Sequence, residues 1–224
     1  MLKIQNKIGI RETTTSGMDS LELAMDKDHF LNYPKKITYR YNSRGFRDNE
    51  WPDDLTDAIW CVGDSFTEGI GQPFEDTWPQ ILSNKLNSTC LNIGEQGCSN
   101  DTMALRIQEI YKLYKPNLIV VMWSYLSRRR INGLNRDHDK NDFGMERDLT
   151  NFLKNFKKVN ELQTTFINLT VPYAFDDMAM LKDRHPNLII TKRFDYARDG
   201  VHFGSKTSRG LADLIRKQID KSSK

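Results

Sequence analysis

The sequence predicts an α/β fold: a three-layer α/β/α sandwich on a parallel sheet of about five strands. Two observations carry this. From Ala58 onward, short apolar runs alternate with stretches of helical periodicity. The runs are also apolar at every position, as in Leu118-Ile-Val-Val-Met122, which implies strands buried on both faces. Strands of that kind, interleaved with helices, pair in parallel and are covered on each side by helices.

The elements follow in order. Residues 1–32 are polar and weakly periodic and read as an arm, with a short helix around 19–30. Ile37, Tyr39 and Tyr41 alternate with polar residues, which gives a strand, and Asn42-Ser-Arg-Gly45 gives a turn. Residues 1–57 therefore form an arm and lead-in strand packed on a core built by 58–224. The core strands fall at 58–63, 88–93, 117–124, 164–171 and 187–191. Helical patterns lie at 77–86, 100–114, 147–161 and 175–182, and a final helix runs over about 205–220. Asn100-Asp-Thr ahead of Met103, Ile107 and Ile110 carries N-cap chemistry followed by an apolar face.

Composition narrows the function. The chain has 224 residues, enough for a sizeable core, and is 38% hydrophobic, so it is globular. Mean hydropathy is -0.64 and the longest apolar run is Leu118 to Trp123, so no segment spans a bilayer. Met1 to Ile10 lacks the continuous apolar stretch of a signal peptide, which makes a cytoplasmic location the expectation. Basic and acidic residues number 33 and 30, too even a balance for nucleic acid as the main partner. Cys61, Cys90 and Cys98 have no metal-type spacing and read as buried, reduced thiols.

In a parallel sheet the functional crevice lies beyond the carboxyl ends of the strands. There the first core strand breaks into Gly63-Asp64-Ser65. A serine at such a break is held rigidly while facing the crevice, as a serine nucleophile requires. It also needs a base and a group that orients the base. Asp199-x-x-His202, just before the last helix, supplies an imidazole with a carboxylate three residues away. His29, His138 and His185 have no such setting. The third need is a set of donors for the oxyanion. The N–H of Ser65 is one candidate, and the glycine-punctuated loop 92–100 is the source of a second. The spacing Gly63-x-Ser65-x-x-x-Gly69 is not the nucleophile elbow of α/β-hydrolases, and no lysine stands where a phosphate loop needs one.

These motifs resemble those of the SGNH hydrolases, the GDSL lipases and esterases, over roughly residues 40 to 215. Gly63-Asp64-Ser65 is similar to the family's first block, Asn92-Ile-Gly94-x-x-Gly97 to its second and Asp199-x-x-His202 to its fifth. Tyr41-Asn-Ser-Arg-Gly-Phe-Arg47 looks like a segment that often precedes the first block. The resemblance implies a flavodoxin-like fold, Ser65 as nucleophile, His202 as base, Asp199 as its orienting carboxylate, and the N–H groups of Ser65 and Gly97 in the oxyanion hole. It implies no metal or cofactor. It points to small acyl esters, including O-acetyl groups on glycans, as substrates of a hydrolase or acyltransferase. The alternative is a non-catalytic domain of the same fold that binds a glycan or a protein.

One block departs. The family's third block places an asparagine after the third strand to complete the oxyanion hole, and here that strand runs into Trp123-Ser124-Tyr125-Leu126-Ser127-Arg128. Asn100 is the first candidate to supply the missing amide, ahead of the hydroxyls of Ser124 or Tyr125, although a helix cap is the ordinary role for such a residue. Arg128-Arg129-Arg130 reads either as a solvated charged loop or as a rim able to hold an anion. Trp123 and Tyr125 read either as a wall for sugar stacking or as packing beneath a loop.

Overall fold

The computed structural model describes residues 11–20, 22, 28–137, 144–172, 181, 185 and 187–222. In chain order the strands and helices are β1 (Arg11–Thr13), β2 (Tyr39–Tyr41), β3 (Ile59–Gly63), α1 (Ser65–Glu68), α2 (Trp78–Leu86), β4 (Cys90–Gly94) and α3 (Asn100–Tyr114). They continue with β5 (Leu118–Trp123), β6 (Arg128–Ile131), β7 (Leu134–Asp137), α4 (Met145–Asn160), β8 (Thr165–Thr170), β9 (Leu188–Ile189) and α5 (Ser205–Ser222). Short 3-10 turns lie at Asp28–Asn32 and Phe74–Asp76.

Five strands form the main sheet in the order β4-β3-β5-β8-β9, and every pairing is parallel. Successive side chains of a strand point to opposite faces, and the core divides accordingly. Trp60, Val62, Ile119, Val121 and Trp123 face α3 and α4, where they meet Ile107, Ile110, Phe152 and Phe156. Ile59, Cys61, Val120 and Met122 face α2 and α5, where they meet Trp78, Leu82, Leu211 and Ile215. This is the three-layer α/β/α sandwich expected from runs apolar at every position. Among the described residues, no helix is long and apolar enough to cross a membrane.

The strand order places the change of direction between β3 and β5. Ligand sites of open parallel sheets form at that switch point, beyond the carboxyl ends of the strands. Two glycines shape it. Gly63 and Gly94 are partners in register at the ends of β3 and β4, and α1 lies directly on both. A Cβ on Gly94 would stand 2.1 Å from the Glu68 backbone nitrogen, and one on Gly63 would stand 2.0 Å from the Thr67 hydroxyl oxygen.

Some elements differ from expectation. The fifth strand, expected over 187–191, pairs with β8 only at Leu188 and Ile189. Beyond them Thr191 bonds the Thr170 hydroxyl through its N–H (3.2 Å) and the Thr170 carbonyl through its own hydroxyl (2.7 Å), so side chains replace the ladder. The lead-in strand β2 pairs antiparallel with β1, outside the main sheet. The arginine run, read as a loop, forms the hairpin β6–β7. Its two-residue turn, Asn132-Gly133, has both φ angles positive (50° and 81°), as hairpin turns that match strand twist require. The helix expected at 175–182 lies, apart from Leu181, outside the described residues, as does half of the one expected around 19–30.

Because the atom facing Gly94 is backbone and cannot swing away, Gly94→Ala forces α1 off the strand ends. The expected cost is about 3 kcal/mol, or roughly 6–12 °C in melting temperature for a chain of this size. Thermal unfolding followed by circular dichroism reads it, and a melting temperature equal to wild type would show that α1 has slack.

Candidate active site

The break after β3 is one turn of helix. Asp64 caps it, its Oδ1 accepting the N–H of Phe66 at 3.0 Å, and Gly69 closes it in the left-handed region at φ 82°. Ser65 is thus the first helical residue. Its N–H has no acceptor inside the helix, as for all first-turn amides.

His202 arrives on a second turn. Ala197 N–H bonds the His202 carbonyl (2.9 Å), Gly200 N–H bonds the Ala197 carbonyl (2.9 Å), and Gly200 takes a φ of 68° to close the loop. His202 Nε2 lies 2.8 Å from Ser65 Oγ, and its Nδ1 lies 2.5 Å from Asp199 Oδ2. Asp199 Oδ1 accepts the N–H groups of Val201 (2.9 Å) and His202 (3.0 Å). All three side chains are buried, with Ser65 and His202 each 5% exposed. Phe66 packs its ring 4.7 Å from the imidazole. Burial alone would raise the Asp199 carboxyl. The hydrogen bond and charge of His202, with the two N–H donors, outweigh it and hold the group below the ordinary carboxylate range. The sequence-predicted Ser65, His202 and Asp199 therefore meet in one hydrogen-bonded chain. His185, by contrast, is half-buried and packs edge-on to Phe156, and His138 lies outside the described residues.

The loop after β4 carries Gly97 with φ 74° and open space where a side chain would be. Its fold is fixed from both sides: Gln96 N–H donates to Glu68 Oε2 (2.6 Å) and Cys98 N–H to the Glu95 carbonyl (3.0 Å). The backbone amides of Ser65 and Gly97 bond no protein acceptor among the described residues. Burial pushes the Cys98 thiol up to about 12, so it is an inert core group and no rival nucleophile.

Asn100 departs from its expected place. Its amide nitrogen donates to the carbonyls of Ser124 (3.2 Å) and Tyr125 (3.0 Å), and its oxygen accepts the Ser124 N–H (2.9 Å). Both ends of the amide are thus committed to holding the loop after β5. It is not the cap of α3 either, because Ser99, one residue earlier, accepts the Thr102 N–H. The Ser124 hydroxyl is also engaged, donating to Asp64 Oδ2 at 2.5 Å. Trp123 is no sugar wall: it is fully buried, and its indole N–H bonds Asn168 Oδ1 at 3.0 Å. Tyr125 packs edge-on to Phe66, with ring centroids 6.2 Å apart.

Four buried charged residues around the site escaped the sequence reading. Arg47 is fully buried and donates to the carbonyls of Glu68 (3.3 Å), Gly69 and Gln72 (2.7 Å), holding the chain on leaving α1. Arg198 and Asp19 are both completely buried and paired at 2.6 Å. Glu68, which anchors Gln96, also accepts the Tyr41 hydroxyl at 2.7 Å. The Tyr41–Arg47 resemblance flagged the region but not its purpose.

No protein-family model and no curated protein matches the chain. Solved structures do. One from Desulfitobacterium hafniense, provisionally named a lipolytic protein of the G-D-S-L family, aligns over 72% of this chain and 99% of its own at 12% identity, with a TM-score of 0.53. The chain has the fold of the G-D-S-L lipolytic proteins. It is also similar to an acetyl xylan esterase (TM-score 0.51, 13% identity, 72% of this chain and 99% of the other). A family two carbohydrate esterase from Clostridium thermocellum, solved with cellohexaose, aligns over 78% of this chain and 66% of its own at 14% identity, with a TM-score of 0.52.

Two outcomes test the geometry. Asn100→Ala orphans one buried and one part-buried carbonyl and a buried N–H and is expected to lower the unfolding free energy by about 2 kcal/mol. Urea titration reads it, and a loss under about 0.5 kcal/mol would mean the loop is held by other contacts. Asp199, with its folded-state value depressed, contributes stability that is present above the ordinary carboxylate range near 3.9. That stability is lost as pH falls through the lower folded value. The stability gap between wild type and Asp199→Asn should therefore narrow between about pH 5 and pH 2. A gap independent of pH would contradict the depressed value.

Proposed function

We propose that the protein is a serine ester hydrolase or acyltransferase working through an acyl-enzyme on Ser65. One observation carries the reading: Ser65 Oγ at 2.8 Å from His202 Nε2, with Asp199 on the opposite ring nitrogen. In this reading Asp199 keeps Nδ1 protonated, so Nε2 presents its lone pair to the serine. His202 takes the Ser65 proton as Oγ attacks the ester carbonyl. The N–H groups of Ser65 and Gly97 receive the oxyanion. His202 then returns the proton to the departing alcohol, and water or a second alcohol, deprotonated by the same imidazole, releases the acyl group. Residues 1–57 serve as an arm that braces a catalytic unit at 58–224.

Small acyl esters, with O-acetyl groups on glycans foremost, are the proposed substrates. The likeness to an acetyl xylan esterase and to a carbohydrate esterase supports that class. A second reading, a non-catalytic binder of a glycan or protein, is favoured by one observation: neither Asn100 nor Ser124 has a donor left to complete an oxyanion hole.

Reaction with a fluorophosphonate probe and with p-nitrophenyl acetate separates the two. Wild type is expected to be labelled and to turn over. Ser65→Ala should abolish both, and His202→Ala should cut the rate by roughly 10²–10⁴. A folded wild type that neither labels nor hydrolyses would leave the binder as the surviving account. Labelling that survives Ser65→Ala would move the nucleophile elsewhere.

A further inference from the structure

A nearly buried arginine grips the loop after β4. Glu95 to Cys98 is a tight turn, closed by the Cys98 N–H on the Glu95 carbonyl at 3.0 Å. Its φ is positive at Gly97 (74°) and not at Gln96, the pattern of a type II turn. The foot of the turn is fixed to the sheet, because the Glu95 N–H bonds the Gly63 carbonyl at 3.2 Å. Arg106, in the second turn of α3, reaches across to it. Nη2 donates to Glu95 Oε2, and Nη1 lies 4.0 Å from Cys98 Sγ. The guanidinium carbon stands 5.6 Å from the ring centroid of Phe46, in the segment that leads into the core. The Arg106 side chain is 10% exposed and that of Glu95 21%. Glu109, one turn further along α3, adds to the negative field around the guanidinium.

The Gly97 N–H belongs to the central peptide of this turn. Type I and type II turns share the same ends and differ by a reversal of that peptide, through changes of about 150° and 170° in the torsions on either side of it. The N–H can therefore point one way or the opposite way with little change in the path of the chain. Glycine at position 97 favours the type II form, since it takes a positive φ without strain. That form holds only while the turn is closed, because an open turn releases both torsions. Glu68 holds the Gln96 N–H, which belongs to the preceding peptide and leaves the central one able to rotate. Arg106 touches both the first and the fourth residue, the two whose separation closes the turn.

Resting on the esterase reading above, in which the Gly97 N–H receives the oxyanion, we infer that Arg106 is a positioning residue that keeps the Glu95–Cys98 turn closed and so keeps that N–H aimed at the reacting carbonyl. It acts through Glu95 and Cys98. A donor that turns away costs rate and not ground-state binding, because the oxyanion exists only once the carbonyl has been attacked. Glu95 keeps access to water, so losing its partner strands no buried charge and leaves the chain folded.

Turnover of p-nitrophenyl acetate and thiol titration with dithiobis(nitrobenzoate) test this, at a temperature where melting curves show each variant folded. Arg106→Met should lower kcat by about 10-fold with KM changed less than about 3-fold. Glu95→Gln should lower kcat by about 3-fold, since the contact with Cys98 remains. The two act through one contact, so the double variant should match Arg106→Met within about 2-fold. The acid limb of the pH–rate profile, which reports His202 in this reading, should stay in place. Cys98 is fully buried in the wild type, and its thiol should react faster in Arg106→Met. Adding Cys98→Ala should remove that extra reactivity. An arginine that only supports the fold would lower the melting temperature and leave kcat and the thiol unchanged. Any of four results overturns the inference: a kcat for Arg106→Met within about 2-fold of an active wild type, losses that multiply in the double variant, an acid limb that moves, or a Cys98 thiol as slow as in the wild type. If Arg106→Met does not fold, the kcat and thiol reactivity of Glu95→Gln decide in the same way. An inactive wild type overturns the esterase reading, and the thiol alone then decides the grip: a Cys98 that reacts faster without Arg106 upholds it, and one that does not overturns it as well.

Discussion

The site depends on one steric constraint: α1 must sit on the ends of β3 and β4 with nothing in between. Gly63 and Gly94 are neighbours in the sheet, and the places where their side chains would be are filled by Thr67 and by the backbone of Glu68. That contact places Ser65 at the sheet edge with its N–H bonding no acceptor among the described residues. It also buries Asp64 and Glu68, two acids, at the centre of the molecule. Every polar feature around the site can be understood as a response to that burial. Two buried carboxylates need partners, and the partners are the loops that make the site. Glu68 takes the Gln96 amide and thereby fixes the loop that carries Gly97. Asp64 takes Ser124 and Arg128 and thereby fixes the loop after β5.

The N-terminal arm extends the same logic to the turn of Asp199 and His202. Asp19 binds Arg198 through both carboxylate oxygens, at 2.8 Å to Nε and 2.6 Å to Nη2, and also accepts the Tyr39 hydroxyl. Arg198 Nη1 adds the carbonyls of Pro34 (3.1 Å) and Lys35 (2.6 Å). Its own N–H bonds the Gly71 carbonyl, while Gly71 N–H bonds the Tyr39 oxygen. The residue next to Asp199 is thus tied into the arm and into the loop after α1 at once. A buried ion pair adds little net stability, yet breaking one is costly. Such a pair suits a place where geometry matters more than stability, and here it holds the turn of Asp199 and His202 against the turn that carries Ser65.

This division explains what could be read from the sequence. The sheet was legible because runs such as Leu118 to Met122 are apolar at every position, and only a strand covered on both faces satisfies that. That Ser65, Asp199 and His202 could meet was legible because a serine at the end of β3 and a carboxylate three residues from an imidazole just before α5 both fall at one edge of a parallel sheet. The supports were not. Asp19 and Arg198 are 179 residues apart, and neither stands out among the 63 charged residues, the 33 basic and 30 acidic ones together. Burial turns an ordinary surface-type residue into a structural one, and burial of a lone charge leaves no periodic trace. The Asn132-Gly133 turn is a different miss. Its dipeptide is a strong hairpin signal, but the arginines before it have no apolar alternation to mark a strand.

Asn100 shows why a motif cannot be completed by proximity in sequence alone. It lies three residues beyond Gly97 and carries the side chain that an oxyanion hole would use, so sequence reasoning places it there. At the start of α3, however, it faces the loop after β5, where two carbonyls and an N–H would otherwise be buried without partners. Unmet backbone groups in a dry interior cost more than an unfilled catalytic place costs folding. An amide with a choice of partners is therefore claimed by the backbone. The loop it secures is the one that presents Ser124 and Arg128 to Asp64. Asn100 thus serves the site at one remove, by fixing the residues that meet the charge beside Ser65.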